Sequence, residues 1–131
     1  MKNIHYVSLN EFRGIQKALD KNNSFYIAEI DGKEIYTLSD YLAKMSNLFQ
    51  FPYLSLSIDG YNDWMRDLDW LEKDGYILVI YNFHFFLKED LSSRKQVIDN
   101  FYDIILPFWE YEVTETVVEG KVKPFIIYFV E

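Results

Sequence analysis

Asp59, Asp63 and Asp67 recur at every fourth position of Ser57-Ile58-Asp59-Gly60-Tyr61-Asn62-Asp63-Trp64-Met65-Arg66-Asp67. On a helix that spacing sets three carboxylates in one row. Like charges so placed cost an isolated helix about 0.2–0.5 kcal/mol per pair. Arg66 relieves part of this, and Asp59, in the first turn, is helped by the helix dipole. Three chemistries could use such a row. A divalent cation would need oxygens from a second element, and the Asp-x-Asp-x-Asp-Gly loop of a calcium site is absent. A hydrolytic pair would need carboxylates opposed across a cleft, about 5–10 Å apart, whereas neighbours on one face share one side of a substrate. A surface for a cationic partner needs only carboxylates in a row with flanking aromatics, here Tyr53 and Trp70. A plain solvated face is the competing reading.

Little else in the chain suggests chemistry. It has no cysteine, which excludes a thiol nucleophile, a disulfide scaffold and Cys-ligated metals. The two histidines, His5 and His84, are far apart in sequence and make no His-x-x-x-His pair. His84, in Asn82-Phe83-His84-Phe85-Phe86, reads as a strand-end or packing residue. The 5 glycines are isolated, so no phosphate-cradling loop is present. No catalytic residue, metal ligand, cofactor or small-molecule substrate is implied.

Charge narrows the partner. With 13 basic against 21 acidic side chains the net charge is -8, which argues against nucleic acid and fits a basic protein or simple solubility. The acids are concentrated. Asp59, Asp63, Asp67, Asp69 and Glu72 face only Arg66 between Met45 and Glu72, and Gln96 to Gly120 holds six acids and no base. No apolar run is long enough to span a membrane, and the first residues lack the apolar stretch of a signal peptide, so a cytoplasmic location is expected.

The elements that would position these groups follow from periodicity. Ser8 and Glu11 make a capping box, with Val7 and Phe12 as its staple, opening a helix over 9–20 that Lys21-Asn22-Asn23-Ser24 ends. Phe25 to Ile30 reads as a strand ending in a turn at Asp31-Gly32. Thr37 and Asp40 cap a helix with Leu38, Tyr41, Leu42, Met45, Leu48 and Phe49 inward. A further helix is expected over Ile58–Leu71. Tyr76 to Tyr81 shows no alternation, the mark of a parallel strand covered on both sides. A longer helix starts near Ser93 and stops at Pro107. Residues 108–123 read either as extra helical turns or as a hairpin about Gly120, and Phe125–Val130 closes the sheet. The expected fold is α/β, a single domain over 1–131 with a small parallel sheet flanked by helices.

Two segments resemble the barstar family of ribonuclease inhibitors. One is Ala28-Glu29-Ile30-Asp31-Gly32-Lys33-Glu34-Ile35 with Leu38-Ser39-Asp40-Tyr41-Leu42. The other is Asp59 to Leu71, with its Asp, three residues, Asp, then Arg-Asp-Leu-x-Trp-Leu. The resemblance covers about residues 25–130. It implies a three-layer sandwich with a three-stranded parallel sheet, residues 1–23 forming a helical extension dispensable for the core over 24–131. It also implies an inhibitor or immunity protein that occludes the active site of a basic ribonuclease or related toxin. Asp63 would stand in for an RNA phosphate, flanked by Asp59 and Tyr53, with Asn62 and Asp67 completing the partner-binding set. Ser55, Ser57, Gly60, Asn62 and Lys95 depart from the family's usual Gly, Asn, Ala-like, aromatic and Glu residues. The alternative is a barstar-like interaction domain with no nuclease target.

Overall fold

Tyr76-Ile77-Leu78-Val79-Ile80 has no polar side chain to turn toward water, and the fold buries every one of these residues. The computed structural model describes residues 3–21 and 24–131. The run belongs to β3 (Gly75–Tyr81), which lies between β2 (Phe25–Asp31) and β4 (Phe125–Val130) in a parallel sheet. Tyr76, Leu78 and Ile80 point to one face, with Phe125, Ile127 and Phe129, into the larger core. Ile77 and Val79 point to the other, with Tyr128 and Val130. Continuous hydrophobicity is thus explained by helices on both faces.

The sheet has four strands, not three: β1 (Ile4–Val7) adds to the outer edge of β4, giving the order β1-β4-β3-β2. Ile4 pairs with Ile127 and Val7 with Val130. Backbone bonds from Ile127 to Asn3, from Glu131 to Val7 and from Leu9 to Glu131 fasten both ends. Four residues of mixed polarity carry no strand signal, and the partner that makes them a strand lies at the far end of the sequence.

Helix α1 (Leu9–Leu19) begins at the expected capping box, with Ser8 and Glu11 exchanging both bonds. Phe12 is fully buried on the second sheet face, and Val7, Ile15 and Leu19 pack beside it. Residues 1–23, expected to lie outside the core, therefore contain one sheet edge and the cover of one sheet face. The proposed helix stop at Asn22-Asn23 lies outside the described residues. On the opposite face, α2 (Leu38–Leu48) starts at its own capping box, and Tyr41, Leu42, Met45 and Phe49 are buried as the periodicity predicted.

Two helices end elsewhere than expected. Helix α3 spans Ile58–Met65 and does not reach Leu71. Leu68 adopts a left-handed conformation, φ 60, which drops its side chain fully into the core, and a short 3-10 turn, Asp69–Leu71, follows. At the end of α3 the Met65 carbonyl is met by the Trp109 indole N–H, and the Asn62 carbonyl accepts from the Arg66 side chain as well as from its backbone N–H. In contrast, α4 (Leu91–Asn100) does not stop at Pro107. The chain stays helical through π-helical turns at Phe101–Ile105 and Phe108–Glu112 into α5 (Val113–Thr116). Proline removes one N–H and crowds the carbonyl four residues back, and widened turns on either side absorb both effects. Residues 108–123 thus take the helical alternative before a turn at Val117–Gly120.

Candidate protein-binding surface

Ser46 fixes the loop that precedes α3. Its hydroxyl donates to the Leu42 carbonyl and accepts from the Ser55 N–H at 3.1 Å. Ser57 then caps α3 by accepting from the Gly60 N–H. Between these anchors the loop turns three apolar side chains outward, Tyr53 at 74% exposure, Leu54 at 60% and Leu56 at 84%. The Tyr53 ring leans on Trp64, 6.3 Å between centroids, and Trp64 meets Trp70 edge to face at 5.6 Å. Trp70 is itself tied down, its indole N–H donating to the Phe49 carbonyl. An aromatic ledge therefore borders the helix.

Asp59 is exposed in the first turn of α3. Asp63, one turn on, has a side chain 76% exposed and meets the Arg66 guanidinium at 3.2 Å. These two carboxylates form an exposed ridge on α3, as their spacing implied, and Tyr53 leans on the same helix through Trp64. Asp67 does not continue it. Because the helix has ended, its Oδ1 folds back to accept from the Asp69 N–H. Asn62 is placed inward: it is buried, and its carboxamide exchanges two hydrogen bonds, of 3.0 and 2.6 Å, with that of Asn100 on α4. Lys95 is exposed and pairs with Asp99 one turn along its own helix. His84 is exposed in the turn after β3, its ring 4.2 Å from Phe85.

Beneath the ridge the support is rigid. Tyr41 and Tyr61 join hydroxyls at 2.6 Å inside the core, and burial pushes both phenols well above their ordinary range. Leu54 and Leu56 were not among the residues the sequence singled out. Their signal was alternation with Ser55 and Ser57, which reads as half-buried strand as readily as exposed loop.

The fold is a mixed α/β domain with a parallel sheet flanked by helices, and one of those helices and the loop before it expose acids and apolar side chains side by side in sequence. The family model described as Barstar (barnase inhibitor) matches residues 25–119, and the chain belongs to the barstar family. The match runs from β2 to the turn before β4, leaving out β1, α1 and β4. No curated protein matches the chain. The described helices include none long and apolar enough to cross a membrane.

Proposed function

We propose that this protein is a cytoplasmic inhibitor, or immunity protein, that binds a basic ribonuclease or related toxin and blocks its active site with α3 and the preceding loop, without catalysing a reaction itself. The observation that carries the reading is that α3 exposes Asp59 and Asp63 while the loop before it exposes Tyr53, Leu54 and Leu56, with the Tyr53 ring against Trp64 of the same helix. A ribonuclease active site gathers cationic groups to hold phosphate. A rigid carboxylate offered at that position takes the phosphate's place, and the apolar loop excludes water around it. Asp63 already holds Arg66, so docking exchanges one cationic partner for several. Asn62 acts from behind, by fixing α3 against α4, and Asp67 lies at the rim.

The test is co-expression with a panel of barnase-type ribonucleases that includes barnase, followed by titration of each enzyme's RNA cleavage. Restored growth and stoichiometric inhibition of at least one enzyme, lost with Asp63→Ala, is the expected result. Failure to protect against any member, or equal inhibition by the Asp63→Ala variant, overturns the reading.

A further inference from the structure

We propose that the binding surface continues past Asp63, away from the aromatic ledge, into the groove between α3 and the Val117–Gly120 turn, and that this groove receives an arginine of the same basic protein partner. The inference rests on the inhibitor reading above. Two open grooves, of about 480 and 330 Å³, meet on this side of α3 and share Asp63, Arg66 and Phe108 as lining. One carboxylate thus borders both the ledge and the grooves, so a partner seated on Asp63 lies over both.

The turn beyond the groove is built to hold apolar groups in water. Val118 is 93% exposed, and Val117 and Val122 are about half exposed. Their position is fixed locally. The Gly120 N–H bonds the Val117 carbonyl, and a Cβ at Gly120 would stand 2.2 Å from the Val113 carbonyl oxygen, so the turn closes against the helix end only with glycine. Apolar groups held out beside exposed carboxylates mark a contact surface.

Charge decides the occupant. Asp63, Asp67, Asp69 and Glu119 line the larger groove together with Arg66, Lys121 and Lys123. Two of these cations are already engaged within the protein. Arg66 holds Asn62 and Asp63, and Lys123 donates to the Lys73 carbonyl at 2.8 Å above the Tyr76 and Trp109 rings. With Asp63 and Arg66 paired to each other, Asp67, Asp69 and Glu119 face Lys121 and Lys123, which leaves the lining net anionic. Val117 and Val118 supply exposed apolar surface, the nearly buried Phe108 and Val113 lie at the floor, and carboxylates stand among them. A guanidinium, planar and weakly hydrated, stacks on such surface while its fork reaches the carboxylates, which a compact ammonium does less well.

The experiment uses the ribonuclease inhibited in the co-expression panel and measures its affinity for four variants. Val118→Lys sets a like charge at the groove mouth and is expected to weaken binding about tenfold or more, because a cation facing a cation replaces an apolar contact. Asp69→Asn should weaken it less, and Val118→Thr, which keeps the shape, should bind as wild type does. Wild-type affinity in Val118→Lys beside loss in Asp63→Ala removes the groove from the interface and leaves the inhibitor reading standing. Equal loss in Val118→Thr and Val118→Lys also overturns the inference, since charge would then play no part. If no enzyme of the panel is bound at all, the inhibitor reading falls and the groove inference with it.

Discussion

Removing the Asn62 carboxamide strands both polar atoms of the Asn100 side chain in the core. Asn62→Ala is therefore expected to lower unfolding stability by about 1–3 kcal/mol, the cost of a buried polar group left unpaired. Urea unfolding measures it. Asp63→Ala should instead spare stability and weaken binding. Its carboxylate is exposed and its contact with Arg66 is a surface ion pair, so stability should change by less than about 1 kcal/mol. Binding to an inhibited ribonuclease should weaken by about 3–5 kcal/mol, because the enzyme's cations lose their partner in a dehydrated interface. The two neighbours thus separate support from contact. Asp59 and Asp63 were legible as an outward row, because helical spacing alone decides which residues share a face. The duty of Asn62 was not legible, because the group that turns it inward lies 38 residues away.

At the scale of elements, starts were read more accurately than ends. Ser8 with Glu11 and Thr37 with Asp40 are local signals, and both capping boxes form as written. The end of α3 depends instead on the core accepting Leu68 and on an indole from residue 109 meeting the Met65 carbonyl. No window around Asp67 contains that information. Pro107 misled for a similar reason, since a proline stop is a rule for regular α-helix and the flanking turns are wider. The 3-10 turn after Leu68 closes at Glu72, an exposed residue held at φ 54. Left-handed geometry costs a non-glycine residue about 1–2 kcal/mol, and glycine's extra freedom when unfolded returns about 0.5–1 kcal/mol of that. Glu72→Gly should therefore leave stability unchanged or raise it by up to about 1 kcal/mol, whereas Glu72→Val should lower it. Thermal unfolding of the two variants side by side checks the sign.

Across the whole molecule, continuous apolar runs made the parallel sheet and its two covered faces readable, while β1 escaped because its four residues become a strand only beside β4. The structure argues that residues 1–23 are needed for stability. Deleting them would bare Ile77, Val79, Tyr128 and Val130 and open the edge of β4. The expected product is insoluble or unfolds without cooperativity in urea; a soluble fragment with a sharp transition would refute this. Alkaline pH should also find the core. Burial raises the Tyr41 and Tyr61 phenols above the value of about 10 they take when unfolded. Below that pH both states keep their protons and stability is full. Above it the unfolded chain releases protons first, so stability falls as pH rises toward the folded values. Urea midpoints at pH 8, 10 and 11 should show the decline, and Tyr41→Phe/Tyr61→Phe together should lessen it, with Tyr76 and Tyr81, whose phenols burial also raises, supplying part of the remainder. The pairing of Ile4 with Ile127 has a consequence in time. A nascent chain makes β1 early but cannot pair it until β4 has emerged from the ribosome, more than a hundred residues later, and until then α1 can pack only on the β2 and β3 part of its face. Throughout that interval one side of the growing sheet has no strand to lie against. Synthesis cut short before β4 would thus yield a chain carrying the acidic ridge in sequence and no frame to display it, fit only for the proteolytic machinery.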